Sequence, residues 1–122
     1  MQKAYIAGKL NADAVGYIKN MHQMIKCARY VRGIGYAVYI PCMDFLEGLV
    51  NGDFNYGDYF NNSQPFLKAC DVVFVCPDSE SSVGTQKEIA TANELRIPVI
   101  YLREYSDGQY YFKAEGFMYE MF

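Results

Sequence analysis

The stretch DVVFVCPDSESSVGTQKEIATANELRIPVIYL, residues 71–102, holds one complete strand, loop, helix and strand. Residues 72–77, after Asp71, form a continuous apolar run with none of the alternation of a half-solvated strand. Small polar residues and Gly84 follow, and Thr85 to Arg96 has helical composition with a narrow apolar face of Ile89, Ala92 and Leu95. PVIYL (98–102) is a second apolar run. Two such runs around a helix predict parallel strands buried on both faces.

The same pattern extends toward the N-terminus. KAYIAG (3–8) reads as a buried strand ended by Gly8, and YAVYIP (36–41) as another, stopped by Pro41. Between them Val15, Ile18, Met21, Ile25, Ala28 and Val31 recur at three- and four-residue steps, with Lys19, Lys26, Arg29 and Arg32 interspersed. That spacing predicts an amphipathic helix over 14–31, ended by Gly33 or Gly35. Strands interleaved with helices give an α/β fold: a doubly wound, flavodoxin-like or Rossmann-like parallel sheet of four to five strands, helices on both faces, order 2-1-3-4. Such a sheet binds ligands beyond the carboxyl ends of its strands, where the chain reverses between strands 1 and 3. GKLNAD (8–13) and PDSESSVGT (77–85) are the segments predicted at that crevice.

The whole chain, 122 residues, is read as a single domain with room for a core of its own. A net charge of −3 argues against a nucleic-acid polymer or an anionic membrane as partner. Cys27, Cys42, Cys70 and Cys76 form no C-x-x-C pair, and His22 is the sole histidine, on the polar side of the first helix. Neither a metal site nor a cofactor is therefore expected. Free thiols and the absence of an export signal point to the cytoplasm.

Two segments stand apart. Residues 44–65 are rich in Gly, Asn, Asp and aromatics, with Asp44, Glu47, Asp53 and Asp58 but no Lys or Arg. A short helix or a lid is expected there. The tail, 105–122, is dense in Tyr and Phe toward its end, so it should pack on the body or on a second subunit; a subunit interface in a homodimer or larger homo-oligomer is the expectation.

The loop Ser82-Val-Gly-Thr-Gln-Lys-Glu88 sits where this fold holds ligands. A helix N-terminus offers unpaired N–H groups and about half a positive charge to an anion, and Ser82, Gly84 and Thr85 would line it. The loop is neither a Walker loop nor a G-x-G-x-x-G turn. Glu88 carries two readings: a first-turn carboxylate matched to the helix dipole, or an ionised carboxylate suited to nucleophilic chemistry.

S-x-G-x-x-x-E followed by A…ELRIPVI resembles the nucleoside 2-deoxyribosyltransferase superfamily, including its 2′-deoxynucleoside 5′-monophosphate N-glycosidases. AYIAGKL, GYAVYIP and S-x-P-F-L-K-A-C-D-V-V-F-V extend the resemblance over most of the chain. It implies that Glu88 attacks C1′ of the sugar and displaces the base, with Tyr5 orienting the carboxylate. Transfer to another base or to water then completes a double displacement. It also implies that Ser82 contacts the 5′-phosphate and that Gly8 allows close approach; with Lys9, Ser63, Gly84 and Thr85 these make up the phosphate and sugar side expected here, for a nucleoside or its 5′-monophosphate as the small-molecule partner.

The sequence departs from that family at two places. Ser63 stands where the second catalytic carboxylate is expected, so Asp44 and Asp58 become candidates to replace it. The loop after Gly8 has Lys9, Leu10 and Asn11 in place of a serine and an arginine. Met43 and Phe45 either stack on a base or pack in the core. A nucleotide-binding module without catalysis and an assembly protein with an empty crevice are the rival readings.

Overall fold

A computed structural model of the chain describes residues 1–10, 12–52, 56–114 and 117–120. Its elements are β1 (Lys3–Ala7), α1 (Ala14–Gly33), β2 (Ala37–Tyr39), a 3-10 turn (Pro41–Met43), α2 (Asp44–Asn51) and α3 (Tyr56–Lys68). They continue with β3 (Val72–Val75), α4 (Val83–Glu94), β4 (Val99–Tyr101), β5 (Arg103–Glu104), β6 (Tyr110–Ala114) and β7 (Phe117–Glu120).

Four strands form a parallel sheet in the order β2-β1-β3-β4, the expected doubly wound topology. Tyr5 on the central strand β1 is in register with Tyr39 of β2 and Val73 of β3. Alternation along β1 divides the core. Ala4 and Ile6 join Phe74, Met24, Cys27, Ala28 and Val31 on the α1 face. Tyr5 and Ala7 join Val73, Val75, Leu67, Ile89 and Ala92 on the face covered by α3 and α4.

The apolar face of α1 is not the one its sequence periodicity suggests. Met24, Cys27, Ala28, Tyr30 and Val31 are buried, whereas Val15, Ile18 and Ile25 are 64%, 51% and 40% exposed. Direction around the helix explains the difference: at about 100° per residue, Val15, Ile18 and Ile25 point well away from the side of Met24, Cys27, Ala28 and Val31, which meets the sheet. The buried residues concentrate in the C-terminal half of α1. The helix ends at Gly33, and Gly35 beyond it adopts φ +110°, a conformation that favours glycine.

The segment expected to hold a lid or one short helix contains two. Pro65 lies inside α3 rather than ending it. The tail differs as well. β5, β6 and β7 form a small antiparallel sheet, and Tyr110 and Phe112 are buried in the α1-side core. Tyr30 lies 6.2 Å from Tyr110, and Phe74 packs edge-on against Phe112 at 5.6 Å. These two tail aromatics are therefore core residues of the chain itself, not an exposed interface.

Asp71 anchors the start of the sheet, its carboxylate accepting the Lys3 N–H at 2.7 Å. No helix among the described residues is long and apolar enough to cross a membrane.

Candidate active site

A cleft of about 760 Å³ opens at the carboxyl ends of β1 and β3. Tyr5, Gly8, Lys9, Ser63, Ser82, Gly84, Thr85 and Glu88, eight residues singled out from sequence, all line it. They arrive from four elements: β1 and its following loop, α3, the loop after β3, and α4.

The rim is the N-terminus of α4. Ser82 is its N-cap, and its hydroxyl oxygen accepts the Thr85 N–H at 3.2 Å and the Thr85 hydroxyl at 3.0 Å. Thr85 is buried with both donors committed to Ser82, so it builds the cap rather than serving a ligand. The N–H groups of Val83 and Gly84, at the first two helical positions, have no acceptor among the described residues. With the Ser82 O–H they form an anion-receptive edge. Lys9 and Lys87 also line the cleft, and the Lys9 N–H holds the loop by donating to Ser79 Oγ at 3.1 Å.

Gly8 has a packing reason. A Cβ there would stand 3.0 Å from both Cβ and Sγ of Cys76, so a side chain would crowd Cys76 just beyond β3.

The floor holds Tyr5, Glu88 and Ser63. Tyr5 is fully buried and its hydroxyl has no hydrogen-bond partner among the described residues. Burial first, then the neighbouring Glu88 charge, push its pKa well above the ordinary value, while the Ser63 hydroxyl works in the opposite direction. The three groups are thus near enough to perturb one another, although the tyrosine oxygen lacks hydrogen-bond geometry. Ser63 donates weakly to the Phe60 carbonyl at 3.4 Å.

Glu88 corrects the sequence reading in two ways. With Ser82 as N-cap it occupies the sixth helical position, and the first turn of α4 contains no acidic residue. The dipole contribution is confined to the first turn, so it cannot hold this carboxylate ionised. Desolvation dominates instead, raising the Glu88 pKa to about 7 against the opposing effect of the Tyr5 hydroxyl.

The other sequence candidates lie elsewhere. Asp44 is not among the lining residues; its carboxylate accepts the Tyr39 hydroxyl at 3.0 Å and Asn62 at 3.4 Å. That network adjoins the floor, because Tyr39 stacks between Tyr5 (5.6 Å) and Phe66 (4.6 Å). Asp58 is exposed outside the lining. Met43 is also outside it and 48% exposed, so it neither packs in the core nor reaches the cleft. The side chain of Phe45 lies outside those described, as does Asn11. No cluster of metal-ligating side chains occurs among the described residues.

The structure adds Tyr17, Tyr59 and Phe60, an aromatic side to the cleft. Burial, followed by Tyr59, Cys42 and Asp44, raises the Tyr17 pKa to about 12. Tyr59 and Phe60 precede Ser63 by four and three residues, a spacing that places all three on one helical face. That signal existed in the sequence, but it becomes readable only once 56–68 is known to be a helix.

No curated protein and no solved structure matches the chain. A family model described as Domain of unknown function (DUF4406) matches residues 2–101, a span that runs from β1 to the end of β4 and contains every residue lining the cleft. The chain belongs to that family.

Proposed function

We propose that the cleft cleaves or transfers the N-glycosidic bond of a nucleoside or deoxynucleoside 5′-monophosphate, with Glu88 as nucleophile. The observation that carries this reading is one cavity with two chemically distinct ends. A half-buried carboxylate lies beside an unpartnered tyrosine hydroxyl at the floor, and a helix N-terminus with free N–H groups lies at the rim.

In this reading the rim N–H groups, the Ser82 hydroxyl and Lys9 hold the 5′-phosphate. Tyr17, Tyr59 and Phe60 offer aromatic surface to the base. The ionised Glu88 oxygen forms a bond to C1′ as the C1′–N bond breaks, and water or a second base then displaces the carboxylate. Tyr5, whose hydroxyl has no partner among the described residues, would orient the carboxylate once bound substrate brings the two within hydrogen-bond distance. A pKa near 7 makes only part of the Glu88 population nucleophilic at neutral pH, so turnover should rise as pH increases through 7. The resemblance to the deoxyribosyltransferase superfamily supports the same assignment. A cytoplasmic homo-oligomer is part of this proposal.

Base release from a panel of nucleosides, deoxynucleosides and their 5′-monophosphates, followed chromatographically, tests it. Wild type should release base, and Glu88→Ala should lower the rate about a thousandfold or more. An Ala variant as active as wild type would overturn the mechanism.

Ser63, a hydroxyl where a second carboxylate would serve as acid, favours one alternative: nucleotide binding without turnover. Calorimetric binding of a monophosphate with no base released over days would select it.

A further inference from the structure

The solvent side of α1 carries a second apolar stripe. Val15, Ile18 and Ile25 are 64%, 51% and 40% exposed. They stand three and seven residues apart, with the exposed His22 between Ile18 and Ile25. This is the a/d spacing by which helices seat against one another. The stripe extends over about 15 Å of helix axis. It is bordered by Lys19, Lys26, Arg29 and Arg32, all exposed, and α1 itself contains no acidic residue. None of these four cations has an ion-pair partner among the described residues. An apolar line framed by one sign of charge calls for an acidic, amphipathic partner.

The chain contains such a surface. α2 has Asp44 and Glu47 in its first turn and no basic residue in its last. Met43 and Val50, four residues before Glu47 and three after it, are 48% and 84% exposed. No Lys or Arg occurs between Arg32 and Lys68. The line Met43–Glu47–Val50 covers about 10 Å, comparable with the stripe on α1.

We propose that the solvent side of α1 docks on α2 of a second copy of this chain. A twofold axis makes the contact reciprocal, α1 on α2 and α2 on α1, so that the assembly closes as a dimer. Pairing α1 with α1 would set four unpaired cations against four more, which disfavours that arrangement. This contact lies in the N-terminal half of the chain, away from the aromatic tail. It gives the homo-oligomer of the functional proposal a definite interface, and its test does not depend on whether the cleft is catalytic.

Sedimentation velocity over a concentration series tests it. Wild type should dimerise, and the dimer should weaken as salt rises, since exposed charges are screened beyond about 8 Å at physiological ionic strength. Ile18→Glu should abolish the dimer while the circular dichroism spectrum stays as in wild type, because Ile18 is outside the core; its melting temperature should no longer rise with protein concentration. Lys26→Glu and Glu47→Lys should each raise the dimer dissociation constant about tenfold, and the two together should dimerise more tightly than either alone. A wild type that stays monomeric at about 100 μM, or a dimer indifferent to Ile18→Glu, would overturn the proposal. So would a monomer that floats with phosphatidylserine vesicles through the same stripe, which would assign it to a lipid surface.

Discussion

The two faces of the parallel sheet are closed by opposite means. On the α1 side, Ala4, Ile6, Met24, Cys27, Val31 and Phe74 meet Tyr110 and Phe112 in a core made of apolar and aromatic contacts. On the α3–α4 side the apolar cluster is smaller, and its margin holds Tyr5, Ser63, Gln64, Thr85 and Glu88. Two of the buried polar atoms there, Tyr5 Oη and Gln64 Nε2, have no partner among the described residues. Neighbouring residues of one strand, Tyr5 and Ile6, thus face entirely different chemistry. The lesson is that the α1 face supplies stability, while the other leaves polar groups under-satisfied, a cost characteristic of functional sites.

Substitutions on the two faces should therefore move stability in opposite directions. Phe74→Ala removes a fully buried ring that packs edge-on against Tyr36 and Phe112. It should destabilise the protein by about 3–5 kcal/mol in urea unfolding. A cost below about 1 kcal/mol would mean that the α1 face is not the stabilising one.

Glu88→Gln should do the reverse, in a pH-dependent way. The folded pKa is raised to about 7 from an ordinary 4.5. Below about 4.5 the carboxyl is protonated in both states and its contribution to stability is fully present. As pH rises toward 7 the unfolded chain loses its proton first, so native stability falls, by on the order of 3 kcal/mol once pH exceeds 7. Glutamine does not titrate. The variant should match wild type near pH 4.5 and exceed it at pH 8, as read from denaturation midpoints. A difference independent of pH would show that Glu88 is not held in a desolvated site.

Tyr5→Phe gives the smallest shift and the sharpest contrast. It deletes a buried hydroxyl without a partner and keeps the ring that stacks on Tyr39. Stability should stay level or rise by about 1 kcal/mol, while base release falls. Destabilisation by more than about 2 kcal/mol would mean that the hydroxyl is structurally satisfied, and the distinction between the faces would fail at its central residue.

The parts of this chain legible in its sequence are those set by local pattern. Continuous apolar runs marked the four parallel strands, and glycine and proline marked where they end. The order of elements implied the switch point, which placed Gly8, Lys9, Ser82 and Gly84 around one crevice, and the family resemblance added Tyr5 and Glu88. Folding decided the properties that depend on neighbours distant in the chain. Burial, not position along α4, sets the Glu88 pKa, because the desolvating groups come from other elements. Which apolar stripe of α1 is buried depends on which side of the helix the sheet meets. The fate of Tyr110 and Phe112 depends on a hairpin returning to Tyr30 and Phe74. Tyr17, Tyr59 and Phe60 became neighbours of the cleft through the packing of α1 and α3. Periodicity records which residues can share a face; solvent exclusion and charge depend on the surfaces that close over it.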